Sequence, residues 1–320
     1  MSASPRVSVA VPLFNEEHAL PRLVRRISDA LDRLPGGPHE IVLVNDGSSD
    51  GTLARLAELA ATDERIVAVS LFRNFGHQAA VSAALEYATG DAVVVMDGDL
   101  QDPPEAIPRL VEEHAKGFDV VYVRRIRRKE GRVLRACYFL FYRVLALVAA
   151  VRLPVDAGDF ALLSRRVVDA MKQCPEHQRY VRGLRTWVGF RQTGVAVERA
   201  ARQAGRSKYN TWRLLVLALD GLVSFSVVPL RAAAAFGLLA IAGATSYAAY
   251  AVYVRLAGGR TPEGFTMIVV IMTFMSGVQL LFLGVIGEYL GRVYDEVKGR
   301  PLYLVDRVIR APKPPAARGS

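Results

Sequence analysis

Residues 1–125 alternate short apolar runs with longer amphipathic stretches. The apolar runs predict strands over Val7–Pro12, Glu40–Val44, Ile66–Ser70, Ala92–Met96 and Asp119–Val123. The stretches between them predict helices over Glu17–Leu34, Gly51–Ala61, Gly76–Thr89 and Pro104–Lys116. β-Branched runs separated by helices are typical of a parallel, doubly wound α/β sheet. Ligands bind such sheets beyond the carboxyl ends of the strands.

Two uncharged apolar stretches, Ala232–Val254 and Phe265–Gly287, occupy the last third of the chain. Each exceeds the ~20 helical residues that cross a hydrocarbon core. Their outer flanks carry more Lys and Arg than the short loop Arg255–Gly264. The pattern predicts a transmembrane helical hairpin, multi-pass, with both termini in the cytoplasm. Its small residues would allow close helix packing, which leaves a homo-oligomer open.

Two further stretches, Arg135–Leu153 and Asn210–Val228, combine apolar and aromatic residues with Arg, as interfacial helices do. For Arg135–Leu153 a core helix is the alternative. The first half of the chain has no signal peptide and is expected to stay in the cytoplasm. The predicted organisation is a catalytic domain over 1–209, a juxtamembrane segment over 210–231, a hairpin over 232–290 and a cytoplasmic tail over 291–320.

Composition and charge indicate which kinds of partner the protein has. Hydrophobic residues make up 52% of the 320 residues and the mean hydropathy is +0.21, which suits a membrane part. The net charge of +10 favours an anionic partner such as a phosphate or an anionic bilayer. Nucleic acid is disfavoured because the positive residues cluster around the membrane segments and no nucleic-acid motif is present. Cys137 and Cys174 form neither a disulfide framework nor a metal-ligand pattern.

Polar motifs stand where four predicted strands end. They are Phe14–Glu17, Asn45–Ser48, Arg73–Gly76 and Asp97–Asp99. An Asp-x-Asp at a strand end can bind Mg²⁺ or Mn²⁺ together with substrate phosphates, or it can be a turn and helix cap. Asp46 can bond a base or ribose, or can cap a helix. Neither a Gly-x-Gly-x-x-Gly nor a P-loop Gly-Lys pair is present, which disfavours dinucleotide oxidoreductases and P-loop NTPases.

Four motifs carry a family resemblance: residues 11–17 (VPLFNEE), 44–52 (VNDGSSDGT), 73–77 (RNFGH) and 96–104 (MDGDLQDPP). They resemble the family 2 glycosyltransferases, and more narrowly the polyprenyl-phosphate (bactoprenol) glycosyltransferases and the dolichol-phosphate-mannose-synthase-like group. The resemblance continues through Asp159-Phe160, residues 202–209, the hairpin and residues 287–292. It implies a GT-A fold, a nucleotide-sugar donor, a divalent metal (Mg²⁺ or Mn²⁺) and a lipid-phosphate acceptor.

The resemblance also implies roles for single residues. The nucleotide-binding set is Pro12, Phe14, Asn15, Glu16, Asp46 and Asp97. The metal ligands are Asp97, Asp99 and Gln101. The acceptor-phosphate set is Arg202, Ser207 and Lys208. Asp99 and Asp159 are expected in catalysis, with a structural hydrogen-bond acceptor as the alternative for Asp159; Asp102 and Glu105 are expected to cap or solvate the following helix.

The predicted function is inverting transfer of a hexose from a nucleotide sugar, UDP-glucose, to undecaprenyl phosphate at the cytoplasmic membrane. The product would be a lipid-linked sugar for modification of cell-envelope glycans. The alternatives are a transporter or flippase component for lipid-linked sugars, and a transferase of mannose, galactose or aminoarabinose. A processive polysaccharide synthase is disfavoured because the chain lacks Gln-x-x-Arg-Trp and has only two predicted spans.

Overall fold

The sheet is built on the predicted apolar runs. The computed structural model describes residues 4–125, 157–177, 179–197, 228–257 and 264–311. Eight strands lie in these ranges: β1 Val7–Leu13, β2 Glu40–Asn45, β3 Ile66–Leu71, β4 Ala92–Val95, β5 Val120–Arg125, β6 Ala157–Ser164, β7 Gln192–Val197 and β8 Val305–Arg310. They form one mixed sheet in the order β7-β5-β6-β4-β1-β2-β3-β8. β6 and β8 run antiparallel to their neighbours, and the other pairings are parallel.

Helices cover both faces of the sheet. They are α1 Leu20–Leu31, α2 Thr52–Thr62, α3 His77–Tyr87, α4 Ile107–Ala115, α5 Arg165–Lys172 and α6 Val181–Trp187. One core cluster packs α1, α2 and α4 on one face, and another packs α3, α5 and α6 on the other. All residues of β1 and β2 are buried, which explains why both strands are mostly apolar. The predicted α/β sheet, with its first five strands and four helices, is confirmed.

Two long helices form a second compact unit, separate from the unit that holds the sheet. They are α7 Val228–Leu256 and α8 Phe265–Lys298. Each contains a stretch long and apolar enough to cross a membrane, Ala235–Val254 and Val270–Lys298. Large apolar side chains on both helices, such as Leu239 and Leu280, are exposed. The two helices are consistent with the predicted hairpin, and α8 continues beyond the predicted end at Gly287.

The end of the chain returns to the sheet. The sequence predicts a cytoplasmic tail from residue 291, but β8 lies within it and pairs antiparallel with β3, with Ala68 opposite Ile309. Gly299 ends α8 in a left-handed conformation, with φ of 57°. Three of the six residues of β8 are charged, so the segment contains no apolar run from which a strand could be predicted. Charged residues of this kind are common on edge strands. The predicted segment at 135–153 lies outside the described residues, as does 210–227.

Candidate active site

The carboxyl ends of parallel strands β1, β2, β3 and β4 meet at one edge of the sheet. We call the segments that follow them the first loop (residues 14–19), second loop (46–51), third loop (72–76) and fourth loop (96–103). These four loops contain most of the residues that the resemblance assigns to the donor and metal.

Side chains of the first loop hold the second loop in place. Asn15 has a left-handed φ of 56°, and its Oδ1 accepts the N–H of Ser49 at 2.9 Å. The N–H of Asn15 donates to Ser48 Oγ at 3.0 Å. Glu17 Oε2 accepts the N–H of Gly51 at 3.0 Å. The side chains of Asn15 and Glu17 therefore hold the backbone of the second loop through hydrogen bonds.

Asp46 joins the second loop to the third. Its carboxylate is buried, and its two oxygens accept the backbone N–H groups of Phe75 at 2.8 Å and Gly76 at 3.0 Å. Next to it, Gly47 has φ of 61°, and a Cβ there would lie 2.3 Å from the carbonyl carbon of Arg73. Asp46 thus does not cap α2, and the two loops touch so closely that only glycine fits between them.

The fourth loop contains the Asp-x-Asp motif. Asp99 Oδ1 accepts the N–H of Gln101 at 3.0 Å, across Leu100, whose φ is 60°. Asp102 is buried and its Oδ2 accepts the N–H of Asp97 at 3.4 Å. Asp102 is expected to cap or solvate the following helix. In the structure its carboxylate instead lies inside the fourth loop and bonds the loop backbone.

Glu105 faces away from this motif toward α1. Its carboxylate makes two hydrogen bonds with the Arg26 guanidinium, at 2.8 and 2.7 Å. The pKa of Glu105 is lowered, first by the Arg26 hydrogen bonds. Glu105 is thus a half-exposed residue in the first turn of the short helix after the loop, as expected, and it is in addition ion-paired with Arg26.

Carboxylates of the first and fourth loops repel one another. The pKa of Glu16 is raised, first by burial and then by the negative charges of Asp99 and Asp50. Oxygen ligands crowded in this way suit a hard divalent cation. The described residues hold no group of three or more His, Cys, Asp or Glu side chains that could bind a metal alone. A cation here would therefore need other oxygen ligands as well, such as the Gln101 amide, water or substrate phosphates.

Asp159 lies on β6 beside this motif. The β4–β6 ladder ends with Val95 opposite Ala161, so Asp97 and Asp159 each stand two residues beyond the last pair. At the start of α3, His77 Nε2 lies 3.6 Å from Asp97 Oδ1. His77 also favours the ionised form of Asp159 electrostatically. The structure therefore brings Asp159 into the neighbourhood of the fourth loop.

Two arginines of α6 surround Asp159. Arg182 donates from Nε to Oδ1 at 3.1 Å and from Nη2 to Oδ2 at 2.6 Å. Arg185 is 2% exposed and donates from Nη1 to the carbonyl of Gly158 at 3.2 Å. Burial opposes ionisation of Asp159, but Arg182 outweighs it with help from His77 and Arg185, and the Asp159 pKa is lowered. Burial, followed by Arg182, lowers the pKa of Arg185 to about 10.

The remaining assignments divide into two groups. Pro12 is buried at the end of β1, and Phe14 just beyond it is 48% exposed at the same edge. Arg202, Ser207 and Lys208 lie outside the described residues. Sequence reasoning missed the roles of His77, Arg182 and Arg185. His77 stands in a recognised motif, whereas the spacing of the arginines on one helix gives no hint of a carboxylate partner far along the chain.

Comparisons with known proteins give the family. Glycosyl transferase family 2 matches residues 8–171. The bactoprenol glucosyl transferase of Shigella phage SfII is 40% identical over 303 residues, 94% of this chain and 98% of that protein. The undecaprenyl-phosphate 4-deoxy-4-formamido-L-arabinose transferase of Klebsiella pneumoniae is 35% identical over 315 residues, 96% of this chain and 95% of that protein.

A solved structure supports the fold. The mannosyltransferase PcManGT from Pyrobaculum calidifontis, in complex with GDP-Man and Mn²⁺, matches with a TM-score of 0.51 and 20% identity over 92% of this chain and 88% of its own. This likeness and the mixed, mostly parallel sheet agree with the expected GT-A architecture. The chain belongs to glycosyl transferase family 2 and is a glycosyltransferase with a GT-A-like catalytic sheet.

Proposed function

We propose that the enzyme transfers a hexose from a nucleotide sugar, UDP-glucose, to undecaprenyl phosphate and inverts the anomeric centre. The main support for this proposal is that one chain contains two features. One is a set of interlocked loops at the carboxyl edge of the sheet, and the other is a pair of exposed, membrane-length helices. Relatives of nearly the same length carry names that specify bactoprenol and undecaprenyl-phosphate transferases.

The donor would occupy the edge formed by the first, second and fourth loops. Its nucleoside pocket would be lined by Pro12, Phe14, Asn15, Glu16, Asp46 and Asp97. The half-exposed Phe14 ring offers a stacking face for a base. Because Asp46 already accepts two backbone hydrogen bonds, its part is to fix the loops, with its remaining lone pairs available to the ligand.

The acidic fourth loop suits a divalent cation that is shared with the donor diphosphate. Asp97, Asp99 and Gln101 would hold Mg²⁺ or Mn²⁺. The pKa of Glu16 is raised first by burial and then by Asp99 and Asp50, and a cation would relieve this second, repulsive part. Bound there, the cation would offset negative charge on the departing nucleoside diphosphate.

The acceptor phosphate would supply the nucleophile. One of its oxygens forms a bond to C1 of the sugar while the bond from C1 to the diphosphate oxygen breaks on the opposite face. A phosphate monoester has a second pKa near ~6, so the attacking oxygen is already largely ionised at neutral pH. Positioning and electrostatics then supply most of the rate. Arg202, Ser207 and Lys208 would bind the acceptor phosphate.

The lipid acceptor requires the enzyme to stay at the bilayer. Exposed apolar helices are costly in water, and both α7 and α8 have apolar side chains around their surfaces. We assign them to a hairpin in the cytoplasmic membrane, with the catalytic domain and both chain ends in the cytoplasm. This topology, and association into a homo-oligomer, are part of the proposal.

A donor screen tests the function. Purified full-length protein in liposomes is given undecaprenyl phosphate and, in separate reactions, labelled UDP-glucose, UDP-galactose, GDP-mannose or a UDP-linked aminoarabinose. We expect label in the organic phase with UDP-glucose, and product analysis should show the inverted anomer. Organic-phase label from another donor alone would contradict the choice of sugar. An absence of label with every donor would contradict the transfer reaction.

A further inference from the structure

Arg182 occupies both oxygens of Asp159. Its two hydrogen bonds, at 3.1 and 2.6 Å, form a fork that fixes the carboxylate plane. The two side chains are 24% and 23% exposed, so the pair is largely shielded from solvent but not closed off from it. The backbone of Asp159 lies beside the fourth loop, and its carboxylate is therefore both close to the proposed site and held at a fixed angle.

Arg185 holds the backbone next to Asp159. It lies one helical turn after Arg182, is almost fully buried and bonds the carbonyl of Gly158, the residue before Asp159. Among the described residues, no group accepts a hydrogen bond from its Nε or Nη2. Its guanidinium carbon lies 5.6 Å from the centre of the Tyr122 ring. A buried cation with two unpaired N–H groups costs stability, so it is a poor choice for packing alone.

We propose that Arg182 and Arg185 are positioning residues for Asp159: Arg182 sets the direction of its carboxylate and Arg185 fixes its backbone. Asp159 then serves as a fixed anion that orients the reacting sugar and acceptor, and it is not the group that removes a proton. This inference rests on the proposed transfer reaction, whose phosphate nucleophile needs no base.

A double-mutant cycle tests the role of Arg182. Asp159→Asn, Arg182→Gln and the double variant are assayed for sugar transfer to undecaprenyl phosphate. Misplacement of an orienting group costs about 100-fold in kcat, with KM for the donor changed by less than about 3-fold. Because Arg182 acts through Asp159, the double variant should lose no more than Asp159→Asn alone. Losses that multiply, or full activity of Asp159→Asn, would overturn the positioning role.

Chemical rescue separates positioning from general stability. Arg182→Ala leaves room beside Asp159 for free guanidinium, which should restore kcat by about 10-fold or more at millimolar concentration. Arg166→Ala is the matched control, because Arg166 pairs with Asp119 at 3.4 Å and is 71% exposed. The control should keep wild-type activity and show no response. Absence of rescue in folded Arg182→Ala would contradict the proposal.

If the glutamine and alanine variants fail to fold, Arg182→Lys keeps the charge and most of the stem. Its single ammonium cannot reproduce the two-point fork, so kcat should still fall, and wild-type kcat would contradict the proposal. Arg185→Met removes the buried charge and should keep or raise the melting temperature while lowering kcat. Wild-type kcat in Arg185→Met would remove Arg185 from the assignment.

Failure of the two proposals can be told apart with the wild-type protein. A wild type that transfers no sugar from any donor overturns both the proposed function and the inference that rests on it. An active wild type with independent, multiplying losses at Asp159 and Arg182 overturns the positioning role alone.

Discussion

The backbone N–H of Phe72 donates a hydrogen bond to the carbonyl of Leu304 at 3.0 Å. Phe72 opens the third loop, and Leu304 immediately precedes β8. The third loop also supplies the N–H groups that Asp46 holds. The C-terminal strand is therefore connected to the donor side of the site through two short steps, from β8 to the third loop and from the third loop to Asp46.

Removal of the C-terminal strand should weaken donor binding. A chain truncated after Arg300 loses the β3–β8 ladder, and each lost backbone hydrogen bond is worth about 1 kcal/mol. We expect a lower melting temperature and UDP affinity reduced by about 10-fold, or ~1.4 kcal/mol. Calorimetric titration with UDP measures the affinity. A truncation that removes only residues 312–320 keeps β8 and is the control; equal affinity for the two truncated proteins would refute the connection.

Gly47 should tolerate no side chain. Gly47→Ala places a Cβ within 2.3 Å of the Arg73 backbone, in addition to the strain of φ at 61°. Gly299 has nearly the same φ, 57°, but open space around it, so Gly299→Ala reports the cost of φ alone, about 1–2 kcal/mol. Overlap with the third loop should cost Gly47→Ala a further 1–3 kcal/mol or so.

Thermal unfolding of both glycine variants in the same detergent gives the comparison. The larger fall in melting temperature is expected for Gly47→Ala, together with weaker UDP binding. Equal falls for the two variants would show that the second and third loops can separate at little cost.

Glu16 should limit stability at neutral pH. Its pKa is raised, first by burial and then by Asp99 and Asp50, so its ionised form is less favourable in the folded chain than in the unfolded chain. This penalty applies above the raised pKa and disappears as the pH falls below the ordinary glutamate value. Glu16→Gln should therefore raise the melting temperature at pH 7 in metal-free buffer, and the gain should shrink toward pH 4.

The exposed residue Glu58 provides the control for Glu16. It pairs with Arg55 at 2.6 Å on the surface of α2, where Glu58→Gln removes the same charge with little effect. A Glu16→Gln protein that is less stable than wild type at pH 7 would show that burial and repulsion do not disfavour the ionised Glu16 in the folded chain.

The first five strands, and the polar loops that follow four of them, could be predicted because both depend on local sequence. β6 and β7 were not predicted. Apolar runs such as Val7–Leu13 are buried on both faces, and polar motifs follow them directly. β8 could not be predicted in this way. Its Val-Asp-Arg-Val-Ile-Arg sequence carries three charges in six residues, and its strand partner is the edge of β3.

The contacts within the site depend on partners that are distant in sequence. Asp46 stands before a helix and has the form of a cap, yet its oxygens bond residues of the next loop. The pairing of Asp159 with Arg182 likewise requires α6 to pack beside β6. Residue type and spacing therefore show which side chains can form hydrogen bonds. Which partners they bond is decided by tertiary packing and cannot be read from the local sequence.

Asp99 and Glu105 provide the most direct test of metal-dependent sugar transfer at the fourth loop. They lie in the same acidic segment, but Asp99 interacts with Glu16 across the site and Glu105 with Arg26 on its far side. The measurement is Mg²⁺-dependent transfer of labelled glucose from UDP-glucose to undecaprenyl phosphate, for wild type, Asp99→Ala and Glu105→Ala. We expect Asp99→Ala to lose at least ~100-fold in rate and Glu105→Ala to stay near wild type. Full activity in Asp99→Ala, loss in Glu105→Ala alone, or transfer unaffected by a chelator would contradict it.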